Sequence, residues 1–311
     1  MAIQPVKRVA VDSSAAPAAG GYMEALHDSD ILSRLGVPGA PLLGSGGEAH
    51  VYALGNERIA RIMRPGAQLP DAEARANLLA EIAAARGDLP FLTPEVEEVL
   101  VIEGRVVAVE RRLPGEPVSH LLTHLDGTTR RDLLADYLDT VSRIAEISLQ
   151  RAYFGPLLGG GDLRSASWAE FASARLRASL HRCPDDLRPA VDDVKRHHLP
   201  EPERASLVHL DFFPANVLAL GGRVSAVLDF GATAVFGDAR MDAWSAVAYL
   251  DAEISPAASA EDRLQATDWL AAKGLKAGYD TGKRWLAAYW SRATDDVQLM
   301  GWCRKVLLAH G

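Results

Sequence analysis

Cysteine is scarce. Cys183 and Cys303 are the only two in 311 residues, and neither belongs to a CxxC pair or has a histidine at metal-ligand spacing. That excludes a disulfide framework and a zinc site and leaves both thiols as candidate core residues. No apolar run reaches the roughly eighteen residues that cross a bilayer, and the opening stretch MAIQPVKRVAVDSSAAPAAGG holds no apolar block of the kind that marks a secretion signal. The expectation is a cytoplasmic protein with no membrane partner. Basic charge is also short: 33 Lys and Arg stand against 41 Asp and Glu, a formal net charge of -8. With no basic stripe interleaved with aromatics, a nucleic-acid partner is not expected. The mild acidity suits a cationic ligand if the acids gather in a cleft, and serves solubility if they do not.

What remains is a globular composition, 48% hydrophobic and 24% charged, with enough length for one large domain or two modest ones. Residues 1–21, rich in Ala, Pro, Ser and Gly, predict a mobile tail, and Tyr22 to Leu35 has helical spacing. PLLGSGGEAHVYALGNERIARIMRP alternates apolar and polar residues about Gly55-Asn56 and reads as a β-hairpin entered through a glycine-rich loop. An Ala/Glu/Leu-rich helix follows over Asp71 to Arg86, then a second hairpin turning at Glu103-Gly104 and ending at Pro114-Gly115.

Beyond that point helices dominate. One is expected over Thr129 to Leu149, with Thr129 and Asp132 as a capping box, another from Ser167, and two more over Trp285 to Trp290 and Val297 to Leu308. Short strands fall near Leu207-Val208 and Val224-Leu228. The prediction is an α+β chain: a small β-rich region over 22–113 and a larger helical one over 114–311, with a cleft between them.

One stretch breaks the pattern. SLVHLDFFPANVLAL, Ser206 to Leu220, places His209, Asp211 and Asn216 at H-x-D-x-x-x-x-N spacing inside a run that otherwise reads as buried strand. Eighteen residues after Asp211, a second strand ends in VLDFG, putting Asp229 before Phe230 and Gly231. This pairing resembles the catalytic loop and D-F-G aspartate of kinases, and the chain resembles the aminoglycoside phosphotransferase family of small-molecule kinases within the protein-kinase-like superfamily. The resemblance runs roughly from Leu42 to Leu250 and is strongest in the second region.

The chemistry fits the spacing. An aspartate on a loop after a strand can accept or orient the proton of an attacking hydroxyl, the role expected of Asp211. An asparagine on the same loop can turn back toward a metal, and Asn216 and Asp229 together with nucleotide phosphates form a plausible magnesium shell. His209 is expected to brace the loop. In GDARMDAW, which resembles the family's G-D-P-x-x-D segment with alanine for proline, Asp242 is expected to hold the loop backbone.

In the first region the resemblance assigns nucleotide binding to Gly44, Ser45, Gly46 and Gly47 through backbone N–H groups, and to a cation on the next strand. That cation is Arg61 in preference to Arg64, an arginine where kinases carry lysine. Its helical partner is Glu81 or Glu73, with Glu81 preferred. VVAVERRLPGEP resembles the family's hinge, so the Arg111 carbonyl and the Leu113 N–H are expected to meet an adenine edge, with Pro114 offering no donor. Leu210 replaces the glycine of the family's H-G-D. No A-P-E segment follows Asp229, which argues against a protein substrate.

The resemblance implies transfer of phosphate from ATP or GTP, with Mg2+, to a hydroxyl of a small acceptor, by a monomer or homodimer. An antibiotic of aminoglycoside, macrolide or cationic-peptide type is the preferred acceptor; a sugar, choline-like alcohol or amino alcohol is the alternative. Asp251, Glu253, Asp295 and Asp296 are candidates to meet an ammonium group. A rival of another class is a nucleotide-binding regulatory module without catalysis.

Overall fold

The computed structural model describes residues 7–10, 27–197 and 199–309. Contacts divide the chain into two units, one of the residues up to Ala84 with Thr93–Leu113, the other of Ala85–Leu92 with the residues from Pro114 onward. The architecture is α+β, as the residue pattern predicts, with a sheet-based first unit and a mainly helical second one.

The first unit holds β1 (Lys7–Ala10), α1 (Asp28–Arg34), β2 (Leu42–Ser45), β3 (Ala49–Leu54), β4 (Arg58–Met63), α2 (Leu69–Arg86), β5 (Val96–Ile102) and β6 (Arg105–Arg111). The strands form one sheet in the order β1-β5-β6-β4-β3-β2. Side-chain alternation builds two apolar layers on it. Val107 and Val109 of β6 join Ile31 and Leu32 of α1, while Val106 joins Ala72 and Ala76 of α2. Glu103 and Gly104 both have positive φ, 46° and 81°, which suits the tight turn between two right-twisted strands.

Three expectations for the first region need correction. Lys7–Ala10 lies within the stretch read as tail, yet it pairs in parallel with Glu98 to Val101 of β5. Strand pairing is made by backbone groups, which the surrounding composition does not report. The rest of that tail, and the start of the helix expected from Tyr22, lie outside the described residues. Gly44 and Ser45, read as loop, are part of β2, because their strand pairs with Val51 and His50 of β3. Ala85–Leu92, kept with the first region by the sequence pattern, packs with the second unit: Leu92 N–H donates to the Ser225 carbonyl at 2.8 Å, and its own carbonyl accepts Val227 N–H at 2.9 Å.

The second unit runs through β7 (Glu116–Pro117), α3 (Val118–Leu121), α4 (Gly127–Ile144), β8 (Gly155–Pro156), α5 (Trp168–Leu180), α6 (Arg188–Arg196), β9 (Ser206–Val208), β10 (Val217–Leu220), β11 (Arg223–Val227), β12 (Val235–Gly237), α7 (Arg240–Ala248), α8 (Ala260–Ala272), α9 (Tyr279–Trp290) and α10 (Val297–Leu308). The helix α4 starts at Gly127, so Thr129 and Asp132 do not open it as a capping box. Arg130 ties this first turn to Asp262, with Nε–Oδ1 at 2.9 Å, and to the Leu122 carbonyl, a tertiary anchor that outweighs the local cap. At α5 the cap is as expected: Ser167 accepts Glu170 N–H at 3.2 Å. The core gathers Trp168, Trp244, Trp285 and Trp302, all buried.

Gly282 lies inside α9 against the Trp244 ring, and an added Cβ would run into the indole. Alanine normally stabilises a helix interior by about 1 kcal/mol over glycine. Here the buried ring cannot yield, and overpacking typically costs about 1–3 kcal/mol. Gly282→Ala is therefore expected to lower the melting temperature; an increase in a thermal melt would show that the Trp244 wall gives way.

Candidate active site

The loop after β9 is irregular backbone in a largely buried setting, so each of its polar groups needs a partner. The N–H groups of His209 and Leu210 both donate to Asp242, at 2.7 and 2.8 Å. Asp242 sits in the first turn of α7 and is itself buried. Burial pushes its carboxyl up to about 7 against the lowering effect of the two N–H donors.

Three successive carbonyls are then taken by side-chain donors. The Tyr249 hydroxyl donates to Leu210 at 2.9 Å, Asn216 Nδ2 to Asp211 at 2.9 Å, and the Tyr137 hydroxyl to Phe212 at 2.8 Å. Tyr249 in turn accepts Trp290 Nε1–H at 2.7 Å and stacks on Phe213, ring centroids 3.8 Å apart. Leu210 adopts φ of 60°, a left-handed conformation that glycine enters freely and leucine does not. The resemblance's glycine at this position is thus a conformational requirement, met here by a leucine pinned on both its N–H and its carbonyl.

His209 joins the loop to the strand that follows. Its Nε2–H donates to the Leu228 carbonyl at 2.6 Å, and its Nδ1 accepts Asp211 N–H at 3.2 Å. These two partners define the tautomer, and a second ring proton would face an N–H donor. Burial lowers the imidazole to about 4, so the ring is neutral near pH 7. Leu228 N–H also donates to the Asn216 carbonyl at 2.8 Å. The next residue, Asp229, has φ of 55°, and its neighbour Phe230 packs its ring 4.6 Å from His209. Asp211, Asn216 and Asp229 are therefore brought together by a few short backbone links.

Asn216 spends its Nδ2 on the Asp211 carbonyl, which leaves Oδ1 as the end able to meet a cation. With the Asp229 carboxylate this makes two hard oxygen donors. Among the described residues no group of three or more His, Cys, Asp or Glu side chains is placed to hold a metal. The donor set fits magnesium, which takes one or two protein oxygens and completes its shell with phosphate and water. It does not fit an all-protein zinc or calcium cage.

In the first unit, Arg61 lies mid-strand opposite Val51 and Ala108. Its Nε donates to Glu110 Oε1 at 3.1 Å, and Arg75 Nη1 of α2 donates to the same oxygen at 2.7 Å. Glu110, buried in β6, is a partner that the sequence reading missed. Its signal was there: an acid closing the apolar run VVAV just before Arg111 and Arg112. Glu73 and Glu81 are half-buried on α2. Arg64 is engaged at the glycine segment, with Nη2 2.9 Å from the Gly46 carbonyl and 3.4 Å from Ser45 Oγ. Gly46 N–H is committed to the Ala49 carbonyl at 2.9 Å. Gly44 and Gly47 need neither positive φ nor the space of a missing Cβ within the protein. At the hinge, Arg111 N–H donates to the Glu95 carbonyl at 3.0 Å, while Leu113 N–H has no acceptor among the described residues.

The acids considered for an ammonium group are already engaged, except the exposed Asp295. Asp251 pairs with Lys283 at 2.6 Å and accepts Trp302 Nε1–H at 2.9 Å; Glu253 pairs with Lys305 at 2.6 Å; Asp296 caps α10 through Leu299 N–H at 2.9 Å.

The two buried titrating groups of the loop have opposite pH signatures. His209 stays neutral in the folded state down to about 4, whereas an unfolded imidazole protonates near 6.5. Its contribution to stability therefore falls as pH drops through that window. Folded Asp242 keeps its proton up to about 7, while the unfolded carboxyl releases it near 3.8, so its contribution falls as pH rises. Asp242→Asn removes only the second effect. Thermal melts should show the variant below the parent at about pH 5, with the gap narrowing toward about pH 7; a gap that stays constant would mean that Asp242 is ionised throughout.

The model of the phosphotransferase enzyme family matches residues 40–285. A homoserine kinase from Nitrobacter hamburgensis is 30% identical over 122 residues, which are 38% of this chain and 36% of that protein, so the match spans about a third of the relative's length. A thermostable mutant of aminoglycoside phosphotransferase APH(4)-Ia, in ternary complex with AMP-PNP and hygromycin B, superposes with a TM-score of 0.62 at 20% identity, covering 90% of this chain and 95% of that one. The macrolide 2'-phosphotransferase MphH from Brachybacterium faecium gives a TM-score of 0.51 at 19% identity, covering 90% and 97%. These likenesses show the kinase-like fold, and the family match over most of the chain decides its affiliation: the protein belongs to the phosphotransferase enzyme family.

Proposed function

We propose that the protein transfers the terminal phosphoryl group of ATP to a hydroxyl of a small molecule, with magnesium held by Asn216 and Asp229. The observation that carries this reading is the His209 bridge, which links the loop of Asp211 and Asn216 to the strand end of Asp229 through hydrogen bonds of 3.2 and 2.6 Å. The Asp211 carboxylate orients the acceptor hydroxyl and receives its proton as the oxygen bonds to the γ-phosphorus and the bond to the β-phosphate oxygen breaks, releasing ADP. When bound, magnesium neutralises charge on the phosphate oxygens. In the first unit, Arg61, aligned by Glu110, and the segment from Gly44 to Gly47 serve the triphosphate, while the Arg111 carbonyl and Leu113 N–H serve the adenine. Support for ATP as donor comes from the AMP-PNP held by the APH(4)-Ia structure and from the open Leu113 donor.

For the acceptor, an antibiotic is suggested by the hygromycin B in the same complex and by the macrolide enzyme. A metabolic alcohol is suggested by the homoserine kinase relative and by the prior engagement of Asp251, Glu253 and Asp296. The second choice is the one that the side chains favour.

Phosphate transfer from ATP with magnesium should be measured across antibiotics and hydroxylated metabolites. Asp211→Ala is expected to reduce transfer roughly a hundredfold or more, while the melting shift produced by ATP persists. An Asp211→Ala variant with parental turnover would remove the assigned role. An ATP-induced shift in a parent protein that turns over nothing would make the chain a nucleotide-binding module.

A further inference from the structure

Two guanidinium groups share one aromatic ring in the second unit. Arg175 of α5 places its Cζ 5.1 Å from the centroid of the Tyr289 ring, and Arg292, two residues past α9, places its own at 5.0 Å. Arg292 also lies 5.9 Å from the Trp290 ring and donates Nη2–H to the Tyr289 hydroxyl at 3.3 Å. The Nε of each arginine is buried and without a hydrogen-bond partner. Among the described residues, neither arginine pairs with an acid. Burial, then the charges of Arg292 and Arg182, lowers the Arg175 pKa, while Tyr289 and the exposed Asp162 oppose this. Buried donors without acceptors and neighbouring like charges are both costly, and an anion placed between them relieves both.

Aromatic contacts connect the pair to the loop of Asp211. The Trp290 ring is 5.8 Å from Phe213, and Trp290 Nε1–H reaches Leu210 through the Tyr249 hydroxyl, in bonds of 2.7 and 2.9 Å. Arg292 is thus two ring contacts from Phe213, itself two residues after Asp211. In a guanidinium, Nε–H and one Nη–H form the edge that takes a carboxylate in two parallel hydrogen bonds, and here the Nε donors are the unpartnered ones.

We propose that Arg175 and Arg292 bind a carboxylate of the acceptor, so that the substrate class is hydroxy acids and hydroxy amino acids rather than polycationic aminoglycosides. The inference rests on the phosphotransfer reading for its role and on the arginine pair for its chemistry. It gives a role to two arginines gathered on one ring without an ion-pair partner, while Asp251 and Glu253 are neutralised by lysines.

Two measurements test it separately. In thermal melts at constant ionic strength, malonate should raise the melting temperature of the parent, with malonamide, inorganic phosphate and kanamycin weaker. Arg175→Gln and Arg292→Gln should abolish the malonate response, and Arg175→Lys and Arg292→Lys, which keep the charge but lose the fork, should reduce it; unliganded melts report whether each variant folds. With ATP and magnesium, D-glycerate and L-serine should accept phosphate roughly tenfold or more faster than their carboxamides, and Arg292→Lys should raise KM more than it lowers kcat. A malonate shift that survives in both glutamine variants, a stronger response to phosphate, or preferred transfer to kanamycin overturns the carboxylate site while leaving phosphotransfer intact. A malonate response without transfer to any acceptor overturns the phosphotransfer reading and leaves the anion site intact.

Discussion

A buried loop that is neither helix nor strand survives only if something else satisfies its backbone. In this protein that constraint falls on the segment from His209 to Phe213, just before a short 3-10 turn over Pro214–Asn216, and the surrounding side chains answer it. Asp242 takes two N–H groups, His209 a third, and Tyr249, Asn216 and Tyr137 supply donors to three carbonyls in a row. Left-handed conformations at Leu210 and Asp229 each cost about 1–3 kcal/mol. The hydrogen bonds around the loop contribute about 0.5–1.5 kcal/mol apiece and together hold it in one geometry. Rigidity of this kind is what phosphoryl transfer needs, because its catalysis is largely positioning.

Charge placement follows the same logic. His209 is kept neutral so that it can donate at one nitrogen and accept at the other. Glu110 is buried but shared between Arg61 and Arg75, so the carboxylate is compensated and Arg61 is aimed. Removing either arginine would leave a buried charge less compensated, which is where such pairs become costly. Arg175 and Arg292 form the counterexample, with positive charge gathered on Tyr289 and no ion-pair partner among the described residues.

Much was legible beforehand. The period-two alternation around Gly55 and Glu103 marked both hairpins, the spacing of His209, Asp211, Asn216 and Asp229 marked a loop and strand end that hydrogen bonds tie together, and Ser167 marked the start of α5. Glu110 was passed over because its partners, Arg61 and Arg75, lie 49 and 35 residues away. The strand at Lys7–Ala10 was missed because parallel pairing is made by backbone atoms common to every residue. Likewise Thr129 and Asp132 have the form of a cap, but Arg130 reaches an acid 132 residues away and the helix begins earlier.

By itself, then, the chain of residue types determined which groups exist to do chemistry and at what intervals: an aspartate and an asparagine on one loop, a second aspartate after a strand, a cation amid apolar neighbours. Those follow from local pattern, since hydrophobic period and turn residues act over a few positions. Only the tertiary structure decided which of these groups are held, neutralised or left wanting a partner. Hydrogen bonding and desolvation depend on distances between residues far apart in the chain, and no spacing along a sequence specifies those distances.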